Sequence, residues 1–396
     1  MVSHFRFIHC ADLHLGSRFR GVSEDDPRRA RELTESISES FSRIVDLVAS
    51  EHADAMVIAG DAFDESTITP RARMFLVEQL ERAAVPVFMV RGNHDPVVSY
   101  EDSIPLPPNV HMFGPEPENV SVPGHEDVEV AGVSFADWHE ERNLPSMIRG
   151  TPGMFTIGLV HCDVDSAGGD YDYSPCRLSD LSGRGVDYWA LGHIHKKTEL
   201  SRDPWAVYPG NIQGRSLKET GEKGAYVVDI VDGRVSEARF VPTQGILWFD
   251  ETVDITGMST VDQLVSALRG RVPEGSVLRT TIVGRGPLDP MLRRDGADVE
   301  GIITYRLGCR SAGLDVRTSP DIDIEARRGT GDMVGLLIDA GDRLKEEGRE
   351  AILSVIASNL VAKAHLEDIE SMTDEELLEA VDSAVMRLAG IMEAGH

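Results

Sequence analysis

The stretch YWALGHIHKK (residues 188–197) predicts a short apolar strand that ends in two histidines, His193 and His195. Side chains two residues apart on a strand point to the same face, so the two imidazoles would face one place. Packing alone seldom needs two histidines at a strand end. The stretch therefore directs attention to the other strand ends of the chain.

Four more apolar runs end in polar clusters: FRFIHCADLH (5–14), AMVIAGD (55–61), PVFMVRGNHD (86–95) and TIGLVHCD (156–163). Continuous apolar strands of this kind suit sheets that are buried on both faces. Apolar residues at helical spacing predict a helix from Pro27 to about Ser50, and a weaker pattern predicts another from Arg71 to Arg82. Strand and helix in alternation indicate a layered α/β domain with its chemistry at the carboxyl ends of strands.

The rest of the chain predicts two further parts. The strand pattern continues through a hairpin that turns at Asp232-Gly233, and we place a domain boundary at residue 245. Residues 246–330 alternate strand-like and helix-like segments, which predicts a small α+β domain. Residues 331–396 are helical in pattern, with a capping box formed by Thr373 and Glu376.

Composition restricts the class of protein. The 396 residues exceed one ordinary core, and 41% hydrophobic with 27% charged residues is typical of a soluble globular protein. Because the sequence has no run of 18 apolar residues and no signal-peptide pattern, we expect a cytoplasmic protein without membrane association. The four cysteines have no CxxC spacing, which favours buried thiols over disulfides or zinc ligands.

The charge distribution bears on nucleic-acid binding. A net charge of -28 argues against a general basic surface. The three predicted parts carry -16, -2 and -10, and every basic residue of the middle part is an arginine. These arginines have two interpretations: they contact phosphates, or they belong to an accessory domain with solvated charges.

Five strand ends carry metal-type side chains: Asp12 and His14 in ADLHLG, Asp61 and Asp64 in GDAFD, Asn93 and His94 in GNHD, His161 in GLVHCD, and His193 and His195 in GHIHKK. Carboxylate, imidazole and amide ligands suit two divalent metals that share a carboxylate, and they differ from a structural zinc site. Two metals about 3.5–4 Å apart can hold the attacking and leaving oxygens of a phosphoryl displacement. The set therefore predicts phosphoester hydrolysis.

These motifs, over residues 9–195, resemble the calcineurin-like metallophosphoesterase superfamily. The ADLHLG opening, the stretch YPGNIQGRSLKETGEKGAYVVDI (208–230) and the three-part layout resemble bacterial DNA repair exonucleases of the SbcD type. The resemblance implies a layered α-β-β-α nuclease domain over residues 1–245, a capping domain over 246–330 that helps to place DNA, and a helical region over 331–396. This last region would dock on an SbcC-type coiled-coil ATPase.

The resemblance also implies roles for the motif residues. One metal would be held by Asp12, His14 and His195, a second by Asn93, His161 and His193, and Asp61 would bridge the two. The metals would be manganese. His94 would contact the scissile phosphate and protonate the leaving oxygen, and Asp64, where some relatives have histidine, would orient it.

Three functions remain open at this point. The leading hypothesis is a DNA exonuclease or endonuclease subunit that acts on duplex ends with the ATPase, as a homodimer by analogy with the family. A metallophosphodiesterase or phosphatase acting on nucleotides or other phosphoesters is the second, and a non-catalytic scaffold is the third. The length beyond residue 245 favours the nuclease, and the intact motifs disfavour the scaffold.

Four neighbouring features have simpler interpretations. We expect Asp95 to support its loop through hydrogen bonds, and Asp163 and Asp165 to lie in a solvated acidic loop. The glycine-rich segment GNIQGRSLKETGEKG (210–224) is expected to be a tight connection rather than a phosphate cradle. Within it, Arg215 is either a phosphate contact or part of a surface ion pair.

Overall fold

The computed structural model describes residues 4–17, 27–64, 69–99, 105–165, 173–358 and 369–394. The chain divides into two compact units, Met1–Trp248 and Phe249–His396. The sequence places the corresponding boundary after residue 245, and its further division at residue 330 stays a prediction.

The first unit consists mainly of strands. In chain order they are β1 (His4–Cys10), β2 (Ala55–Ala59), β3 (Val87–Val90), β4 (Val110–Met112), β5 (Glu118–Val122), β6 (His125–Val133), β7 (Phe155–His161), β8 (Asp163–Val164), β9 (Pro175–Cys176), β10 (Tyr188–Gly192), β11 (Thr198–Arg202), β12 (Trp205–Tyr208), β13 (Gly224–Val231) and β14 (Arg234–Pro242). The helices are α1 (Pro27–Ser50), α2 (Pro70–Ala83) and α3 (Leu144–Met147), with 3-10 turns at Val97–Ser99 and Leu178–Leu181. The predicted helices near residues 27–50 and 71–82 are thus confirmed.

Two six-stranded sheets form the centre of this unit, in the orders β14-β13-β1-β2-β3-β4 and β11-β12-β10-β7-β6-β5. Strands β1, β2 and β3 run parallel in the first sheet, and β6, β7 and β10 run parallel in the second. Parallel strands bring their carboxyl ends to one edge of a sheet. The polar clusters that follow these strands therefore gather at an edge.

Both faces of each sheet are buried, which explains the continuous apolar runs. Phe7 and Val57 of the first sheet pack against Leu159 and Tyr188 of the second in the core between the sheets. On the outer face of the first sheet, Ile8 and Met56 pack against the stripe Ile37, Phe41, Ile44 and Val48 of α1. Trp189 packs with Leu144 of α3 on the outer face of the second sheet. The predicted α-β-β-α layering is confirmed.

The second unit contains a small sheet and a group of helices. Its elements are β15 (Trp248–Asp254), α4 (Val261–Leu268), β16 (Val277–Arg285), α5 (Asp289–Arg294), α6 (Gly296–Leu307), β17 (Arg310–Ser319), α7 (Ile324–Arg327), α8 (Met333–Glu347), α9 (Arg349–Ala357) and α10 (Asp374–Ala394). The sheet has the order β15-β16-β17, and β16 and β17 are parallel. This is the α+β segment followed by helices that the sequence predicts.

Two hydrophobic clusters stabilise the second unit. Leu264, Ile282 and Ile303 belong to the first, which joins α4 and α6 to the sheet. Ile338 and Val385 belong to the second, between α8 and α10. At the start of α10, the backbone N–H of Glu376 donates to the Thr373 hydroxyl at 3.2 Å, and the Glu376 carboxylate accepts from the Thr373 N–H at 2.7 Å, which confirms the capping box.

Two smaller findings concern the chain as a whole. Within the described residues, no helix combines the length and the apolarity that crossing a bilayer requires. The four cysteines are free thiols, and Cys10, Cys162 and Cys176 are buried, as predicted.

Candidate metal centre

The predicted site residues follow five strands whose carboxyl ends meet. Asp12 follows β1, Asp61 follows β2, and His193 follows β10. The backbone at these three residues has φ of 52°, 51° and 105°, and His14 has φ of 45°. Residues other than glycine rarely adopt the left-handed region, and such residues cluster at functional sites because the surrounding structure must hold them there. The local backbone is therefore shaped to turn these side chains toward one place.

The first group of donors is Asp12, His14 and His195, whose ligand atoms all lie within 4.8 Å of one another. The Nε2 atoms of His14 and His195 are 3.0 Å apart. His14 Nδ1 donates to Asp64 Oδ1 at 2.5 Å, and His195 Nδ1 donates to Glu219 Oε1 at 2.7 Å. A carboxylate on Nδ1 holds the ring proton there and leaves the lone pair on Nε2. Two lone pairs thus face each other at short range.

This spacing fits a metal. Metal–imidazole bonds of about 2.1 Å at a right angle place two ligand nitrogens about 3 Å apart. Burial lowers the pKa of His14 to about 3, so its ring is neutral, as a metal ligand must be. A cation between the two rings would remove the repulsion between their lone pairs.

The second group of donors has the same character. Asn93 Oδ1 lies 3.0 Å from His161 Nε2 and 3.2 Å from His193 Nδ1. His161 Nδ1 donates to the carbonyl of Ala59 at 2.9 Å, which again leaves the lone pair on Nε2. Burial holds the pKa of His161 well below its usual value and lowers that of His193 to about 4. Amide oxygen and neutral imidazoles therefore converge on a second point.

Asp61 lies between the two groups. Its Oδ2 is 3.5 Å from His161 Nε2 and 3.9 Å from His14 Nε2, while its Oδ1 accepts the backbone N–H of His94 at 3.0 Å. Burial raises the pKa of Asp61 well above its usual value and that of Asp12 to about 6. Buried carboxylates of this kind need a compensating cation, which two divalent metals would supply. The donor set fits the predicted pair of metals.

Asp64 contacts more groups than the sequence suggests. Its Oδ1 is 2.5 Å from His14 Nδ1 and 3.2 Å from His94 Nδ1, and its Oδ2 accepts from the Ser17 hydroxyl and from Arg215. Burial alone would raise the pKa of Asp64, but the hydrogen bonds from His14 and Ser17 and the charge of Arg215 lower it. Asp64 is therefore a stable carboxylate that can orient both a metal-type histidine and His94.

His94 is the accessible member of the set, with 47% of its side chain exposed. It lies in an open depression of about 450 Å³, lined also by Asp61, Asn93, Trp138, His139, Tyr173, His193 and His195. Burial lowers the pKa of His94. A substrate that enters the depression would meet His94 next to the converging donors.

Glu219 and Arg215 contribute to the site without having been predicted to do so. The Glu219 carboxylate holds His195, and its Oε2 accepts from Asn211 Nδ2 at 3.0 Å and from the backbone N–H of Arg215 at 2.7 Å. Arg215 is mostly buried and pairs with Asp64 at 3.3 Å and with Glu219 at 3.2 Å. Of the two earlier interpretations, the ion pair is the one that the structure shows, but it lies in a mostly buried cluster behind the metal-type residues and not on the surface.

The segment 210–224 is more than a tight connection, since it supplies this cluster and Lys223 Nζ, which donates to the His195 carbonyl at 2.6 Å. Asp95 behaves as predicted: its carboxylate accepts from the N–H groups of Ala62 at 2.8 Å and Gly92 at 2.9 Å. The prediction of a solvated acidic loop is wrong for Asp163, which is buried where β8 pairs with β9.

Comparison with known proteins identifies the family. The sequence profile described as calcineurin-like phosphoesterase matches residues 5–197. An uncharacterized metallophosphoesterase of Bacillus subtilis, YhaO, is 37% identical over 277 residues, which are 67% of each chain. This chain belongs to the calcineurin-like phosphoesterase family. The resemblance found in the sequence motifs is thereby confirmed.

Two further relatives carry nuclease or DNA-repair names. A nuclease SbcCD component of Bacillus subtilis is 32% identical over 279 residues, 59% of this chain and 67% of that protein. The DNA double-strand break repair protein Mre11 of Saccharolobus solfataricus is 27% identical over 243 residues, 57% of this chain and 60% of that protein. About a third or more of each relative's length thus lies outside the match.

Proposed function

We propose that this phosphoesterase hydrolyses phosphodiester bonds at DNA duplex ends, as an exonuclease or endonuclease subunit that uses two manganese ions. One observation carries the proposal: imidazole nitrogens, an amide oxygen and buried carboxylates converge from five strand ends on two adjacent points. The 32% identity to the nuclease SbcCD component supports DNA as the substrate.

In this proposal Asp12, His14 and His195 hold one metal, Asn93, His161 and His193 hold the other, and Asp61 bridges them. When bound, the metals would polarise the phosphoryl oxygens and acidify the attacking water. Asp64 and Glu219 keep the proton of each attached histidine on Nδ1, so the Nε2 lone pairs stay directed at the metal.

His94 would handle the proton of the leaving oxygen. Its Nδ1 faces Asp64 Oδ1 at 3.2 Å, so this carboxylate orients the ring; burial lowers the pKa of His94, and the negative charge of Asp64 opposes that effect only in part. The exposed part of the ring faces the depression in which the substrate would lie. His94 would thus donate a proton or a hydrogen bond as the ester bond breaks.

The remaining parts of the chain have roles in this proposal too. Residues 246–330 would act as a capping domain, residues 331–396 would dock on an SbcC-type ATPase, and the chain would form a homodimer. Most arginines of the capping segment already pair with neighbouring carboxylates: Arg271, Arg279, Arg285, Arg293, Arg294, Arg306, Arg317, Arg327 and Arg328. We therefore expect the isolated chain to bind DNA weakly.

One experiment tests the proposal. The purified full chain is incubated with Mn²⁺ and blunt duplex DNA, cyclic dinucleotides or a chromogenic phosphodiester, with His94→Ala as the control. Cleavage of DNA by the wild type, lost in His94→Ala, is expected. Cleavage of the small substrates alone would refute the nuclease proposal, and metal binding without any cleavage would favour a scaffold.

The second candidate is a phosphodiesterase for nucleotides or other small phosphoesters. It is favoured by the lining of the depression, where none of the described residues is lysine or arginine. The net charge of -28 also favours this second candidate, because the negatively charged chain would repel a DNA backbone.

A further inference from the structure

The depression has an aromatic rim beside the metal-type residues. Trp138, His139 and Tyr173 line it together with His94 and His193. The Tyr173 ring lies 5.4 Å from the His193 ring, measured between centroids, and it stacks on the His139 ring at 6.0 Å with an interplanar angle of 15°. The rings of His193, Tyr173 and His139 therefore form a row that leads outward from the metal centre, and Trp138 lines the same depression.

The rim is built on an anchored backbone. The Ser174 N–H donates to the Glu140 carbonyl at 2.5 Å, which joins the segment of Tyr173 to the loop of Trp138. The Glu140 carboxylate, which is buried, accepts from Arg142 Nε at 2.8 Å and Nη2 at 2.6 Å. At the other end of the loop, the Val97 N–H donates to the Phe135 carbonyl at 3.1 Å. Because these hydrogen bonds already hold the backbone of the rim, ordering it would cost little free energy when a ligand binds.

The rim suggests which part of a substrate it contacts. Trp138 and Tyr173 are only partly buried, so their rings remain accessible from the depression. The described lining offers no lysine or arginine, so contacts with phosphates outside the metal centre are scarce. Aromatic rings beside a phosphate site can instead stack on a nucleobase, and such stacking does not depend on salt as phosphate contacts do.

We propose that Trp138 and Tyr173 form a stacking platform for the nucleobase next to the phosphate held at the metal centre. This inference rests on the proposed phosphoesterase site and narrows its substrate class to nucleotides whose base is free to stack. In an intact duplex the base faces are covered by their neighbours, so the platform takes a single strand or a frayed end. Phosphoproteins have no nucleobase, so the platform would not increase their affinity for the site.

Equilibrium binding tests the platform apart from catalysis. The full chain with Mn²⁺ is titrated with deoxyadenosine monophosphate and with deoxyribose 5-phosphate by calorimetry. The two ligands share the sugar phosphate and differ only in the base. We expect the nucleotide to bind about 10-fold more tightly, the lower part of the range for base stacking. Trp138→Ala and Tyr173→Ala should each reduce this difference, the double variant should remove it, and Trp138→Phe should keep most of it.

The matched control is Tyr305→Ala, which removes an aromatic ring that is 86% exposed on α6. It should leave the ratio of the two affinities unchanged. Equal affinity for the two ligands in the wild type, no measurable binding of the nucleotide, or a ratio that survives the double variant of Trp138 and Tyr173 would overturn the platform. If the ratio behaves as expected but no phosphodiester is cleaved, the platform stands and the proposed hydrolytic function fails.

Discussion

Replacing Glu219 by alanine should weaken metal binding at the site that we propose for Asp12, His14 and His195. Glu219 Oε1 accepts from His195 Nδ1 at 2.7 Å and from Arg215 Nη2 at 3.2 Å. Without it, the imidazole is free to rotate and to place its proton on Nε2, which would block metal binding. The centre held by Asn93 and His161 has no contact with Glu219 among those described, so the loss should be selective.

The size of the effect follows from the contacts. Loss of the outer hydrogen-bond partner of a metal-binding histidine commonly lowers metal affinity 10- to 100-fold, or about 1.4–2.8 kcal/mol. We expect the upper half of that range for Glu219→Ala, since the variant also leaves the mostly buried Arg215 with Asp64 as its one carboxylate partner among the described residues. Glu219→Gln keeps an oxygen that can accept from Nδ1, and its affinity should fall less than 10-fold.

Mn²⁺ titration by calorimetry, with metal counting after dialysis, would measure both sites. Glu222→Ala is the matched control, because Glu222 lies in the same segment and has the same charge but pairs with Lys197 at 3.4 Å on the surface. If Glu219→Ala binds two metals with wild-type affinity, the proposed role of Glu219 in holding His195 is refuted. Loss of both metals together, with a lower melting temperature in EDTA, would show that Glu219 holds the loop rather than one histidine.

Four more expectations concern the centre and its substrate. His193→Ala and His195→Ala should each lose a different metal first, and metal counting on the two variants would show identical losses if the assignment is wrong. His94→Ala should lower kcat about 10²- to 10⁴-fold while metal content stays at the wild-type level. A loss of metal in this variant would contradict the proton-handling role proposed for His94. Mn²⁺ at 100 times its Kd should raise stability by about 2.7 kcal/mol for each site that it fills, seen as a higher melting temperature, and Asp61→Asn should abolish most of that gain. DNA binding by the isolated chain should be weaker and more sensitive to salt than in complex with an SbcC-type ATPase; equal affinity at matched salt would contradict this.

The layered fold could be predicted because its signals are local. Strands buried on both faces are apolar at every position, as AMVIA (55–59) shows, and α1 repeats its apolar residues at helical spacing. The metal-type residues could be predicted for the same reason, since each is the last residue of its strand or follows the strand by no more than five residues. Parallel pairing brings the ends of β1, β2 and β3 to one edge of the first sheet and those of β7 and β10 to one edge of the second, and the packing of the two sheets brings these edges together.

The predictions from the sequence failed where segments that are far apart in the chain contact each other. Asp163 lies in a polar stretch, but its partner strand β9 follows about ten residues later and covers it. Arg215 has a long, charged side chain of the kind usually found on the surface. It is enclosed instead by Asp64, which lies 151 positions earlier in the chain, and by Glu219. Sequence spacing has no information on such contacts, because they depend on the path of loops and not on a repeat.

The sequence by itself thus determined the family, the α-β-β-α layers and the set of polar residues that gather at the strand ends, because these depend on periodicity and on short motifs at strand ends. The tertiary structure alone decided which nitrogen of each histidine carries the proton, which carboxylates hold the rings, and which aromatic side chains reach the depression. Those properties arise from hydrogen bonds and ring contacts between residues far apart in the chain, such as His195 with Glu219 and Tyr173 with His193.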